Sequence, residues 1–187
     1  MNLILFGPPG AGKGTQSKYL VKKLNALQIS TGDMPREEIQ NDTAIGKQII
    51  NVMNDGKFVN DEIVNKLIEN VIFDPKKQNK LIFDGYPRSL SQAKNLDVLL
   101  DRSNQKIDFI FFLNVNKETI VKRIEKRKIL EKRSDDDSNT ILKRYDTYME
   151  TTQPVLNFYS KNSNFYEIDG TLKIDEITAK IDAFLKV

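Results

Sequence analysis

Gly7-Pro-Pro-Gly10-Ala11-Gly12-Lys13-Gly14-Thr15 is the stretch that decides the fold. It follows the apolar run Leu3-Ile-Leu-Phe6, which has the length and composition of a buried strand, and it leads into a segment that reads as a helix. Glycines at 7, 10, 12 and 14 let the backbone turn tightly and bring successive N–H groups toward one anion. The helix N-terminus adds a partial positive charge and Lys13 a full one. The stretch therefore predicts a loop for polyphosphate. The usual form carries Ser or Thr directly after the lysine. Here Gly14 takes that place and Thr15 follows, so that position offers magnesium no hydroxyl ligand.

Four more apolar runs follow the first. Leu27-Gln-Ile29 is a weak strand candidate, Lys80-Leu-Ile-Phe83 ends at Asp84-Gly85, Phe109 to Leu113 is the clearest, and Phe165 to Ile168 ends at Asp169-Gly170. Between them lie segments of helical period. Asp61 to Phe73 places Ile63, Val64, Leu67, Ile68, Val71 and Ile72 on one face, and Ile174 to Leu185 behaves likewise. Strands alternating with helices predict an α/β fold with a parallel sheet covered on both faces. Ligands of such sheets gather beyond the carboxyl ends of the strands. The polar clusters Gly7–Thr15, Ser30–Arg36, Asp84–Arg88 and Asp169–Thr171 each begin where an apolar run stops. That shared position makes them one predicted site. No internal repeat, low-complexity tract or domain linker interrupts the pattern.

Composition narrows the chemistry. The 187 residues fit one domain, 39% are apolar and 29% charged, and no apolar run approaches the ~20 residues of a membrane span. Nothing marks export, so the expected location is cytoplasmic. The chain has neither cysteine nor histidine, which excludes disulfides, thiolate chemistry and His-dependent hydrolysis and leaves no zinc site of the common kind. Catalysis must use carboxylates, Lys, Arg and backbone dipoles. A net charge of +3 comes from 29 interspersed cations against 26 anions, which does not suggest nucleic-acid binding.

Asp84 closes its apolar run where an acidic partner of a phosphate loop belongs, able to hold the hydration shell of Mg²⁺. Asn116 reads as a helix N-cap with Val115 and Ile120 as a hydrophobic staple. The helix that follows sets Arg123 and Arg127 four apart, a repulsive spacing that a polyanion would turn to attraction. A solvated basic face is the equal alternative, since Lys122, Lys126 and Lys128 surround the pair. Arg133 and Arg144 follow, and planar guanidinium groups suit bidentate phosphate contacts.

Over essentially its whole length the chain resembles the adenylate kinases of the short-lid form. The resemblance rests on GPPGAGKGTQ at 7–16, ISTGDMPR at 29–36, GKFV at 56–59 and FDGYPRSLSQA at 83–93. It continues through RIEKR at 123–127, RSDD at 133–136, KRYDTY at 143–148, PVLNFY at 154–159 and DG at 169–170. It implies a P-loop three-layer fold with a five-stranded parallel sheet in one kinase domain, 1–187. The core would comprise 1–29, 60–125 and 137–187, with a helical AMP-binding flap at 30–59 and a short lid at 126–136.

The activity implied is reversible, Mg-dependent transfer of the ATP γ-phosphoryl group to AMP, giving two ADP by direct in-line attack. The ATP phosphates would lie on Gly10, Ala11, Gly12, Lys13, Gly14 and Thr15, with Arg123 and Arg127 above them and Gly170 and Leu172 beside the adenine. AMP would meet Thr31, Arg36, Lys57, Phe58, Val59, Gly85, Tyr86, Pro87, Arg88 and Gln92, the last reading its base. Arg133 and Arg144 would face AMP and the transferred group. Lys13, Arg88, Arg123, Arg133 and Arg144 would be catalytic, and Asp84 would hold magnesium through water. The implied partners are ATP and AMP or ADP, without zinc, nucleic acid or membrane, for a monomer.

A UMP or CMP kinase of the same fold is the alternative, and Thr31 with the spacing to Gln92 favours AMP over it. A nucleotide-dependent switch would leave Arg36 and Arg88 without purpose. Two departures from the family pattern carry expectations of their own. Pro35 stands where Leu is usual and predicts a stiffer entry to the flap. Lys128-Ile-Leu-Glu-Lys132 lacks the glycines common in short lids.

Overall fold

Leu3–Phe6 forms strand β1 with all four side chains buried, and it is the middle of the sheet. In the computed structural model, which describes residues 1–55, 57, 59–131 and 138–186, five strands run parallel in the order β2-β3-β1-β4-β5. The others are β2 (Leu27–Ser30), β3 (Leu81–Asp84), β4 (Phe109–Asn114) and β5 (Phe165–Asp169). β1 pairs Leu3 with Ile82 of β3 on one side and with Phe109 of β4 on the other.

Period-two alternation sends successive strand residues to opposite faces. Ile4 and Phe6 join Phe83, Ile110 and Ile29 in one apolar cluster, whereas Leu3 and Leu5 join Ile82, Phe111 and Leu113 in the other. Both faces are dry, which is why these strands read as continuous apolar runs. The first face is covered by α3 (Ala44–Asn54), α4 (Asp61–Ile72), α5 (Leu90–Arg102) and α8 (Gln153–Tyr159). The second is covered by α1 (Lys13–Leu24), α6 (Lys117–Glu131) and α9 (Ile174–Leu185). The remaining helices among the described residues are α2 (Asp33–Gln40) and α7 (Ser138–Thr151).

The helix signals act as the sequence predicts. In α4 the buried positions Val64, Ile68 and Ile72 recur every four residues, and the Asn60 side chain caps the start by accepting the Glu62 N–H at 2.7 Å. Asn116 accepts the Thr119 N–H at 2.9 Å ahead of α6, with Val115 and Ile120 buried together. The weak candidate at Leu27 is indeed an edge strand, with Leu27 exposed, which explains its faint signature.

Two positions singled out in the sequence have definite places on the fold. Pro35 lies in the first turn of α2, where a backbone N–H has no intrahelical acceptor, so its missing donor costs the helix nothing. The segment expected to open a lid at 126 continues α6 as far as Glu131, consistent with good helix formers and no glycine. The packing of α2 on α3 is close at Gly46, where a Cβ would overlap the Glu38 carbonyl and stand 2.8 Å from the Ile39 Cα.

β1 is followed in the sheet by β3 on one side and β4 on the other, so connections diverge at its carboxyl end. A crevice opens there. No helix among the described residues is long and apolar enough to cross a membrane.

Candidate active site

The loop from Gly7 to Gly12 leaves β1 and enters α1 at Lys13. Gly12 caps that helix with φ of 96°, a left-handed conformation that an L side chain resists. Gly10 at φ 82° is needed for a second reason: a Cβ there would stand 2.9 Å from Ile124 of α6, which packs directly on the loop. The turn closes through Ala11 N–H to the Pro8 carbonyl at 3.1 Å, while the N–H groups of Thr15 and Gln16 share the Gly12 carbonyl. Lys13 folds back over the loop, donating from Nζ to the carbonyls of Gly7 at 2.7 Å and Pro8 at 3.1 Å.

A cleft of about 720 Å³ spans this loop and the carboxyl ends of the strands. Gly10 to Thr15 line it, as do Arg36, Asp84, Arg88, Arg123, Arg144 and Leu172. A chamber of about 50 Å³ shares Pro9, Lys13, Arg88 and Arg144 with the cleft and adds Gly85 and Pro87. The sequence had assigned these positions from separate motifs; one space joins them.

Asp84 ends β3 with its carboxylate buried and Oδ2 accepting from Gln28 Nε2 at 2.9 Å. Burial raises its pKa, Lys13 opposes that rise and Asp33 reinforces it. Arg88 is half-buried. Burial first, then the neighbouring Arg144, pulls its pKa from 12.5 down to about 10. Asp84 works against that fall and Arg36 adds to it. Arg88 Nε donates to the Gly85 carbonyl at 2.7 Å, and its own carbonyl accepts from Thr152 Oγ1 at 3.1 Å. The peptide between Tyr86 and Pro87 is cis. Arg36 pairs with Asp33 one turn earlier, at 2.5 Å. Arg123 approaches the Ala11 carbonyl from α6 at 3.4 Å.

Other assigned residues lie just behind this lining. Thr31 is buried and donates its hydroxyl to the Gly85 carbonyl at 2.6 Å. Gln92 and Tyr86 are almost wholly buried, with the Tyr86 hydroxyl on Asn65 Oδ1 at 2.9 Å. Val59 belongs to the core, and Lys57 is exposed beside Asp55. Gly170 is pressed against Val115 and bonded to the Asn114 carbonyl, so that Leu172 and Ile174, not Gly170, reach the cleft. None of these buried or exposed positions lines either cavity. Phe58, Arg133 and the Arg127 side chain lie outside the described residues.

Sequence reasoning passed over Gln28, Asp33 and Tyr148. Asp33 stood in plain view within Ser30–Arg36, but Gln28 is a lone polar residue in a strand. Tyr148 of α7 lines the chamber with a buried hydroxyl that has no hydrogen-bond partner among the described residues. Its spacing from Arg144, one helical turn, was the available signal.

A glycine loop with its lysine and a set of arginines, gathered at the carboxyl ends of one parallel sheet, are the parts that a phosphotransferase of the P-loop class uses. A family model described as adenylate kinase matches residues 5–164. Curated relatives named adenylate kinase include one from Pelagibacter ubique, 48% identical over all of both chains, and one from Mycoplasma capricolum, 39% identical over all of both. A third, from Caulobacter sp. strain K31, is 41% identical over all of this chain and 99% of its own. The chain belongs to the adenylate kinase family.

Proposed function

We propose that the protein moves the γ-phosphoryl group of ATP to AMP and back, with ATP on the glycine loop and AMP on the Arg36–Arg88 side. One observation carries this reading: Lys13, Arg88 and Arg144, from three separate segments, line a single chamber that shares its wall with the cleft. A protein that only binds one nucleotide needs no second set of cations facing the first.

An AMP phosphate oxygen attacks the γ-phosphorus while the bond to the β–γ bridging oxygen breaks, and ADP leaves in line. The attacking oxygen is already anionic, so no base is required, in keeping with a chain that lacks histidine. The work of the protein is positioning and neutralisation. Lys13 exchanges the Gly7 and Pro8 carbonyls for phosphate oxygens. Arg36 and Arg88 hold the AMP phosphate, while Arg123, Arg127, Arg133 and Arg144 complete the cationic wall. Thr31, Lys57, Phe58, Val59, Gly85, Tyr86 and Pro87 frame AMP, with Gln92 at its base. Gly170 and Leu172 border the ATP adenine.

Magnesium enters with ATP in this reading. Among the described residues no cluster of three or more acidic side chains offers a self-sufficient metal site, whereas the buried Asp84 carboxylate fits a contact through water. When bound, the ion spreads the charge of the β- and γ-phosphates. Residues 30–59 act as the AMP flap and 126–136 as the lid, closing to exclude water and suppress ATP hydrolysis. The protein acts as a cytoplasmic monomer without nucleic acid.

The test is ADP formation from ATP with AMP, UMP, CMP and GMP in parallel, with and without magnesium. AMP is the preferred acceptor by at least about a hundredfold, because a base edge left unpaired in a buried site is costly. Preference for UMP or CMP overturns the assignment.

A further inference from the structure

Asp61, the first residue of α4, belongs to none of the residue sets above, yet its carboxylate joins two of them. Oδ1 accepts from Gln92 Nε2 at 2.6 Å and Oδ2 from Ser89 Oγ at 2.7 Å. At the other end of the same amide, Gln92 Oε1 accepts the backbone N–H of Arg88 at 2.7 Å. A carboxylate only accepts and a peptide N–H only donates. The two ends of one buried amide therefore face partners of opposite kind. Turning the amide over would set oxygen against carboxylate and NH₂ against N–H, leaving both pairs unsatisfied away from water. The remaining neighbours do not bias the choice. Ser89 Oγ accepts the backbone N–H of Gln92 at 3.1 Å, and Tyr86 reaches its backbone carbonyl.

We propose that Asp61 sets base selectivity by locking the Gln92 amide in the one orientation that suits adenine. The inference rests on the reading above that Gln92 meets the base of the acceptor nucleotide. After its bonds to Asp61 and Arg88, the amide retains one oxygen lone pair and one N–H, side by side. Adenine presents the complement, an exocyclic N–H donor beside a ring-nitrogen acceptor. Hypoxanthine and guanine present an oxygen acceptor beside an N–H donor, so like meets like. A flipped amide would reverse the preference. Asp61 is thus a positioning residue, acting through the amide. It also ties α4 to the capped start of α5, and a purely structural role would lower stability without changing which base is chosen.

The experiment compares kcat/KM for AMP and for inosine monophosphate in wild type, Asp61→Ala, Asp61→Asn, Gln92→Ala and the Asp61→Ala/Gln92→Ala double variant. The expected result is a fall in the AMP-over-inosine ratio of about tenfold in Asp61→Ala, carried by KM for AMP with KM for ATP unchanged. Asp61→Asn, which keeps an acceptor but adds a donor, gives a smaller fall. In the Gln92→Ala background, Asp61→Ala changes the ratio no further. The proposal is overturned if Gln92→Ala relaxes the ratio while both Asp61 variants, folded by circular dichroism, keep the wild-type value. If Gln92→Ala itself keeps that value, the assignment of Gln92 to the base has failed and the lock has no object. Should Asp61→Ala not fold, the ratio for Asp61→Asn decides.

Discussion

Replacing Arg88 with Met should make the nucleotide-free protein more stable while nearly abolishing turnover. The fall of the Arg88 pKa from 12.5 to about 10 means the fold disfavours its charge, first through burial and then through Arg144, with Arg36 adding and Asp84 opposing. At 1.36 kcal/mol per pH unit that fall corresponds to roughly 3 kcal/mol. Partial solvent access screens part of it, and the variant forfeits the polar contacts of Arg88, among them the bond from Nε to the Gly85 carbonyl at about 1 kcal/mol. Met keeps most of the apolar stem. The net gain is about 1 kcal/mol, or a rise of about 2–4 °C in Tm for a chain of this length. The sign holds throughout the neutral range, because the penalty on the charged form is relieved only as pH climbs through about 10. The assay is thermal unfolding in phosphate-free buffer, repeated with saturating diadenosine pentaphosphate. Wild type should gain about 2.7 kcal/mol at a hundredfold excess over Kd, the variant much less, so their order reverses. In parallel, kcat/KM should fall by about a hundredfold or more. A variant that melts below wild type without ligand would refute the argument, since Arg88 would then be a net stabiliser and not a group held ready for an anion.

Asp84→Asn tests the opposite charge. Its folded pKa lies above the unfolded value, so protonation is favoured by folding below the unfolded pKa, and that advantage is lost as pH rises through the folded pKa. Urea midpoints should place Asp84→Asn above wild type at pH 7, with the gap closing toward pH 4, and Mg-dependent kcat/KM should drop by roughly 10–100-fold. A wider gap at pH 4 than at pH 7 contradicts the sign. Gly46→Ala should lose about 1 kcal/mol, because an overlap with the Glu38 carbonyl costs about 1–3 kcal/mol and outweighs the roughly 1 kcal/mol that Ala adds in a helix. KM for AMP should rise and KM for ATP stay constant; a denaturation midpoint at or above wild type rejects the close packing of α2 on α3.

The parts of this protein that were legible in its sequence are those set by neighbours in the chain. Leu3–Phe6 is wholly buried and Phe109–Asn114 sends buried side chains to both faces, so composition alone marks them, whereas β2 at the sheet edge shows only Ile29 and Ser30 buried and gives a faint signal. The loop at Gly7–Thr15 is readable because its backbone, not a distant partner, does the binding. The continuation of α6 to Glu131 follows from the helix formers and the absence of glycine in that segment. What local pattern cannot supply is pairing across the fold. Asp61 is separated from Gln92 by 31 positions, and Gln28 from Asp84 by 56, so neither contact leaves a period to detect. That division also explains why the cations could be named but not weighed. Lys13 is marked by its glycine loop, but Arg88 and Arg144 look like ordinary polar residues on their own segments. Only the strand order, which carries β3 and β4 to opposite sides of β1, brings their segments to one chamber. Burial of Arg88 beside Arg144 disfavours its charge, and a polyanion seated in that chamber would relieve the cost.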